Sequence, residues 1–444
     1  MESLWRKQTG KIIQRNVAGG KREEKSHWDV IVVGAGLTGI LTAYYLKEQG
    51  KSVLVLEAKE VALGQTERTT AKITSQHGLK YSKLIKDIGE EKARLYALAN
   101  EEAIREYERL IHKLNIDCQF EKTAAYLYST ENATALQEEA KAAVRLGIDA
   151  FLTRETELPF PVKGAVCFRN QAQFSPLEFV KRIAQDLEIW EHTQVLRIKG
   201  HQVITKDCVL TADKIVMAAH YPVKNVPGFY FLRQHQERSY VLALSGCEQI
   251  KGMYYGIDAD GLSFRQADGL LLLGGSSRRT GENTCGRAYD YLVQSAKKYY
   301  PESQEEMRWA AQDCMPHDGV PFIGRYSVFT PDLYVATGFQ KWGMTTAMIA
   351  AQLLRDELFG VESPYRELFS PQRMYVRAGY KSFIKDVGMS TKGLAKGVFT
   401  RPRCSHMGCA LVWNPEEKSW DCPCHGSRFE ERGEVLDNPA GKTL

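Results

Sequence analysis

Near the C-terminus, Cys404-Ser405-His406 is followed fifteen residues later by Cys422-Pro423-Cys424-His425. Two thiols and two imidazoles spaced as C-x-H and C-x-x-H suit two loops closing on one metal centre. Four of the chain's ten cysteines, Cys404, Cys409, Cys422 and Cys424, fall in this stretch. A structural zinc ion takes a Cys2His2 set, but usually with C-x2–4-C and H-x3–5-H spacings. The C-x-H and C-x-x-H spacings of this stretch differ from that pattern.

A second motif lies at the opposite end. Trp28-Asp29-Val30-Ile31-Val32-Val33 is a short β-branched run, as expected of a buried parallel strand. It leads into Gly34-Ala35-Gly36-Leu37-Thr38-Gly39, then a helical pattern from Ile40 to Gln49 and a second strand, Val53 to Leu56, ending at Glu57. This is the full setting of a dinucleotide-binding fingerprint. Gly34 permits the tight turn, Gly36 lets a pyrophosphate approach, and Gly39 lets helix and strand pack closely. Leu37 and Thr38 open the helix, whose free N–H groups attract phosphate. Glu57 is placed to accept from ribose hydroxyls. These residues alone leave open which dinucleotide is bound.

The stretch that follows, Gly64-Gln65-Thr66-Glu67-Arg68-Thr69-Thr70-Ala71-Lys72, resembles the corresponding loop of the FAD-dependent amino-acid and amine oxidases, the superfamily of D-amino-acid, glycine and sarcosine oxidases. The resemblance runs on through Glu191 to Val195, the strand Lys214 to Ala219, the turn Asp318-Gly319-Val320-Pro321-Phe322-Ile323-Gly324, and Gly338 to Thr345 at the start of a long helix. It covers roughly residues 28 to 365. It implies FAD held by Gly34, Gly36, Leu37, Thr38, Gly39, Glu57, Ala58, Thr69, Thr70 and Val195. Backbone N–H groups of Gly343, Met344 and Thr345, at a helix N-terminus of partial positive charge, would face the part of the flavin that becomes negative on reduction. Two positions depart from the pattern. Gln312 stands where relatives acting on amino acids hold the substrate carboxylate with arginine. Thr345 stands where the sarcosine-oxidase type has lysine, with Lys341 nearby. Cys314 is too close to Asp318 to match the covalent flavin anchor of that type. Arg278 and Arg279 form a pair able to bind an anionic group.

From Arg403 to Leu444 the chain resembles a Rieske domain, most closely at both ligand loops. The resemblance implies Cys404 and Cys422 on one iron, His406 and His425 on the other, and a disulfide between Cys409 and Cys424, as in the Rieske proteins of cytochrome bc complexes. Ser427 matches a donor to cluster sulfur. Phe429 replaces a tyrosine donor, which implies a potential below the high-potential group. Only Lys381 to Pro402, rich in Gly, Lys and Ser, precedes the first ligand loop. The domain therefore reads as abbreviated, its sheet completed by the flavin part or a partner.

These motifs must be carried by several domains, because 444 residues exceed one ordinary core. The expected fold is an α/β FAD-binding Rossmann-like domain with an α+β substrate domain, plus a small all-β Rieske domain. The expected boundaries are a flexible lead-in over 1–27, an FAD-binding domain from 28–80, 165–235 and 305–370, a substrate domain from 81–164 and 236–304, and the Rieske domain over 381–444. Helices are expected over Tyr81 to Leu114. Ser175 and Pro176 read as a helix N-terminus, and Val241 to Leu273 as an antiparallel sheet. Lys+Arg 59 against Asp+Glu 54 gives +5, too slight to indicate a nucleic-acid partner. No apolar run reaches the length of a membrane span, and the polar N-terminus has no secretory h-region. The cytoplasm is the expected compartment.

The combined expectation is an FAD-dependent oxidoreductase, a dehydrogenase rather than an oxygen-using oxidase. It would pass electrons between a small-molecule substrate, amine-like or other, and a separate acceptor or donor, through flavin and a Rieske cluster. The alternative is a non-enzymatic electron-transfer subunit or redox sensor. No two-His-one-carboxylate iron motif is visible, so ring hydroxylation is not expected.

Overall fold

The strand His27–Val33 carries the fingerprint because its residues are buried on both faces, as a central parallel strand requires. In the computed structural model, which describes residues 2–12, 27–283 and 285–444, it lies between Val53–Leu56 and Val209–Met217, parallel to both. Thr330–Thr337 adds beyond Val209–Met217, and Glu188–Trp190 beyond Val53–Leu56. Phe322–Ser327 closes one edge antiparallel. Leu37–Glu48 and Gly343–Phe359 pack on each other over this sheet. Both begin at loops after parallel strands, so both N-termini face the same crevice, the usual ligand site of a doubly wound sheet.

A second, nine-stranded sheet runs in the order Gln304–Pro316, Gln234–Ser245, Leu270–Arg279, Ser263–Ala267, Met253–Gly256, Glu121–Ser129, Gly164–Gln173, Lys72–Ile73, with Ala150–Thr153 paired to Gly164–Gln173. Three of these strands come from stretches expected in the FAD-binding part: Lys72–Ile73, Gly164–Gln173 and Gln304–Pro316. Gln304–Pro316 alternates in burial towards its C-terminal end, as a strand whose two faces meet different layers does, and position in the sequence alone does not reveal this. Helices Tyr81–Ile88 and Glu90–Leu114 lie where helices are expected. Ser175 does precede the helix Pro176–Ala184, but its side chain makes no cap hydrogen bond.

The lead-in differs from expectation where it is described. Leu4–Thr9 is a helix capped by Ser3, and Trp5 is fully buried. The Trp5 indole N–H donates to the carbonyl of Thr69 (2.7 Å), tying this helix to the cofactor loop. Residue 1 and residues 13–26 of the expected flexible stretch lie outside the described residues.

The stretch before the first ligand loop is not part of a β domain. Val376–Phe399 is a 24-residue helix. Among the described residues, the four-stranded antiparallel sheet beyond it, Val412–Asn414, Ser419–Asp421, Arg428–Glu430 and Val435–Asp437, pairs with no strand of the flavin part. Its core is small: Cys404, Cys409, Cys422, Cys424, Phe429 and Ala440. So few apolar groups cannot stabilise an isolated domain of this size without a metal or another staple.

Candidate flavin cavity and metal centre

The glycines of the fingerprint are where close approach demands them. Gly34 has φ +104°, and a Cβ there would stand 2.7 Å from the carbonyl oxygen of Ala218 on the neighbouring strand. A Cβ at Gly39 would meet the carbonyl oxygen of Gly34 at 1.9 Å, so helix and turn can only touch through glycine. Glu57 accepts from the amides of Ala35 and Lys59, both at 2.8 Å. Burial pushes its carboxyl pKa up.

These residues open into a cavity of about 920 Å3, at the upper end of the range for small-molecule sites. Gly34, Gly36, Leu37, Thr38, Glu57, Ala58, Thr69, Thr70, Val195, Gly343 and Met344 line it. Gly39 does not, which fits its packing role. Thr345 does not either: it is buried one step back, its hydroxyl 3.3 Å from His77 Nε2. Cys314 is a buried thiol beside His220, outside the cavity wall. A glycine turn, a helix N-terminus without a side-chain cap and a half-buried acid at the strand end fit FAD.

The far wall carries further groups, most of them not singled out by the sequence. Lys72, Tyr255, Ser263, Asp313, Lys341 and Trp342 face the cavity. The Lys72 ammonium donates to the Tyr254 carbonyl (2.9 Å) and the Ser263 hydroxyl. Burial, with the nearby charge of Arg265, brings its pKa down to about 7. Burial raises Asp313 to about 7 against the pull of Lys341. Lys341 Nζ lies 3.1 Å from Glu237. Alternation along Gln304–Pro316 would have placed Asp313 and Ala311 on one face, but not which face met the cavity.

The same cavity is lined by the metal-centre loops: Ser405, His406 and the closing segment from Val435 to Thr443. The four expected ligands are brought together. Cys404, Cys422 and His425 are buried, His406 is half-buried, and the two imidazoles stand 5.2 Å apart, edge to face. Both Nδ1 atoms, of His406 and His425, are buried with no hydrogen-bond partner. Burial lowers both imidazole pKa values to about 4, so both rings are neutral. Two buried, unpartnered imidazole nitrogens would be costly if nothing bound them, and a metal resolves both. Ser427 Oγ accepts from the Ala440 amide (3.1 Å), fixing the closing loop. Phe429 is fully buried. Cys409, Cys422 and Cys424 have Sγ atoms within 4.8 Å of one another. Cys409 and Cys424 are free thiols here, not the expected disulfide; the structure fixes their proximity and no bond between them.

Side chains of the nine-stranded sheet hold this module. Arg238 is buried and paired with Glu417 (Nε to Oε2, 2.7 Å). Arg428 adds bonds to Asp421 and Asp437, both 2.9 Å, so Arg238 and Arg428 with the more distant Arg68 balance three acids. Gln236 donates to the carbonyls of His425 (2.7 Å) and Asn438 (3.0 Å). Gln312 donates to the carbonyl of Gly426 (2.8 Å) and accepts from Arg238. Gln312, noted as a departure from the arginine that relatives use for a substrate carboxylate, thus holds a ligand loop. Of the arginine pair, Arg279 does bind an anion, the carboxylate of Asp386 in the helix Val376–Phe399, and it donates to the carbonyls of Pro423 (2.8 Å) and Cys424 (2.9 Å). Arg278 lies against Ser276.

His235, His317 and Asp386, distant in sequence, also meet, with ligand atoms within 4.8 Å. Asp386 already takes a hydrogen bond from His235 (2.9 Å) and one from Arg279. Burial opposes its ionisation, but these partners win and hold its pKa at about 2. The cluster is an ion-pair latch that fastens the helix.

Comparison with known proteins agrees with both halves. Residues 29–357 match the FAD dependent oxidoreductase (DAO) family, and residues 394–444 the Rieske [2Fe-2S] domain. YhfW of Bacillus subtilis, described as a Rieske 2Fe-2S iron-sulfur protein, is 34% identical over 95% of this chain and 94% of its own. An iron-sulfur subunit of the cytochrome b6-f complex of Trichormus variabilis is 46% identical over 41 residues, 9% of this chain and 23% of that one. Among solved structures, glycine oxidase from Geobacillus kaustophilus has TM-score 0.65 at 18% identity, covering 79% of this chain and all of that one. L-proline dehydrogenase from P. horikoshii has TM-score 0.66 at 16% identity, covering 79% and 98%. The chain belongs to the DAO family of FAD-dependent oxidoreductases, with FAD as its cofactor, and carries a C-terminal Rieske [2Fe-2S] domain.

Proposed function

We propose that this protein is a dehydrogenase that oxidises a small, anionic, amine-like molecule and passes the electrons out through its own Rieske centre. The observation that carries this reading is the shared cavity: fingerprint glycines form one wall, and His406 with the loop Asp437 to Thr443 forms another. FAD bound there supplies a two-electron acceptor, and the [2Fe–2S] cluster supplies a one-electron relay.

Cys404 and Cys422 are the proposed thiolate ligands, with His406 and His425 binding through Nδ1. Cys409 and Cys424 are close enough to form the loop-bridging disulfide on oxidation. With Nδ1 engaged, Nε2 of His406 carries the proton. The Asn225 amide nitrogen stands 2.9 Å away, and turning that amide over presents its oxygen to accept the proton. Lys72 anchors an anionic group of the substrate, since its ammonium has only two neutral acceptors and faces the cavity. Asp313, poised near neutrality, takes the proton an ammonium substrate must lose before oxidation. Tyr255 and Trp342 supply the apolar wall, Trp342 being stacked on His77 at 4.8 Å. Fold neighbours that include a glycine oxidase and an L-proline dehydrogenase support an amine-like substrate. Gln312 speaks against arginine-type carboxylate anchoring, and Lys72 supplies the replacement.

An anaerobic screen of amino acids, amines and hydroxy acids tests the reading, with loss of the oxidised flavin's visible absorbance as readout. Bleaching by a carboxylate-bearing amine, lost in Lys72→Met, is expected. No bleaching by any candidate would leave the protein as an electron-transfer subunit.

A further inference from the structure

The helix Val376–Phe399 is built the wrong way round for a helix that packs on a globular body. Its inward seam consists of small residues. Gly379 lies in contact with His317, while Gly393 lies against Cys424 and Gly397 against the carbonyl of Gly408, the last two so close that a Cβ would crowd its neighbour. Asp386, the helix's sole acid, also turns inward to Arg279 and His235. At about 3.6 residues per turn, Gly379, Asp386, Gly393 and Gly397 share one narrow face.

The large apolar residues point out. Tyr380, Phe383, Ile384, Val387, Leu394 and Val398 fall within an arc of about 100°, and all are exposed, Ile384 by 65% and Val398 by 61%. Beside that arc, over about another 100°, stand Arg377, Lys381, Lys385, Lys392 and Lys396, all exposed. The turn Tyr230–Leu232 packs next to the helix, and its loop exposes Val226, Phe229 and Leu232. Exposed apolar residues therefore also stand on the loop beside the helix.

We propose that this face seats on an anionic membrane surface, with the helix lying in the plane of the headgroups. Single exposed apolar residues are ordinary, but an ordered stripe of this length is not. A stripe flanked by five basic residues and no outward acid matches the chemistry of acidic lipid. The apolar residues enter the acyl boundary, and the lysine stems reach along it with their charges at the phosphates. A protein partner with a mixed surface would be expected to meet some acid on this face. No helix among the described residues is long and apolar enough to cross a membrane, so the contact is peripheral.

Flotation of the holoprotein with vesicles tests this, using phosphatidylcholine alone and phosphatidylcholine mixed with phosphatidylglycerol. The protein should float with the anionic vesicles, release as salt is raised, and bind phosphatidylcholine weakly. Ile384→Asp with Val398→Asp should weaken binding at least about tenfold, as should Lys385→Glu with Lys392→Glu. Both variants should keep the flavin and cluster spectra of the parent, since none of these side chains faces either site. Absence of flotation at low salt, or equal flotation of parent and variants, overturns the proposal. So does light scattering that shows a dimer converted to monomer by the aspartates, which would assign the face to a second copy.

Discussion

At the residue scale, two atoms carry most of the assignment: Nδ1 of His406 and Nδ1 of His425, buried and unpartnered. Replacing Cys422 by Ser should abolish the reduced-state EPR signal of the cluster while leaving flavin absorbance intact, because Cys422 is not in the flavin cavity wall. Retention of the signal would move the ligand role to Cys409 or Cys424, which lie within the same 4.8 Å group. On the substrate side, Lys72→Met should weaken binding of a carboxylate ligand about ten- to a hundredfold, the worth of a charge-assisted hydrogen bond, measured by perturbation of the flavin spectrum. The sign with pH follows from the lysine's lowered pKa of about 7. The ammonium is present below that value, so affinity should fall as pH rises through 7 to 9, and Lys72→Met should remove the dependence.

At the scale of elements, the helix Val376–Phe399 is held by the Arg279–Asp386–His235 latch. Asp386 is depressed to about 2, so its stabilisation is present above the unfolded carboxylate value of about 3.9 and is lost as pH falls towards 2. His235 is disfavoured by burial, but the bond to Asp386 raises it above its ordinary value. Its stabilisation is full below about 6.5 and is lost as pH rises through the folded value. Thermal stability should therefore peak between about pH 5 and 6.5. Asp386→Asn should flatten both limbs and cost about 3 to 5 kcal/mol, since it leaves a buried guanidinium unpaired. A variant with unchanged melting temperature across this range would contradict the latch. This element is also where sequence reasoning fell short. Lys381 to Pro402 reads only as a Gly-, Lys- and Ser-rich stretch before the first ligand loop, because helices normally announce themselves by an apolar inward face, and here the inward face is glycine. By contrast, the fingerprint strand, turn, helix and acid were legible in order, since each is a local requirement of binding a dinucleotide. Lys72 was legible only as part of a polar loop. Its neighbours Tyr254 and Ser263 come from strands about 180 to 190 residues away, and no local pattern encodes that meeting.

At the scale of the molecule, the Rieske module is docked with its histidine edge turned toward the flavin body. Phe231 stands 5.9 Å from the ring of His425, and Gln236 and Gln312 hold the second ligand loop by its carbonyls. Breaking the buried Arg238–Glu417 pair with Glu417→Gln should loosen the module and slow electron exchange between the two centres, without removing either cofactor. The most direct measurement is anaerobic reduction of the holoprotein with flavin absorbance and cluster EPR followed together over a range of protein concentrations. The expected result is that the cluster signal grows in as the flavin's electrons are redistributed, with a first-order rate independent of concentration and reduced in Glu417→Gln. A flavin that is fully reduced while the cluster stays oxidised, or a rate that scales with protein concentration, would contradict exchange within one molecule.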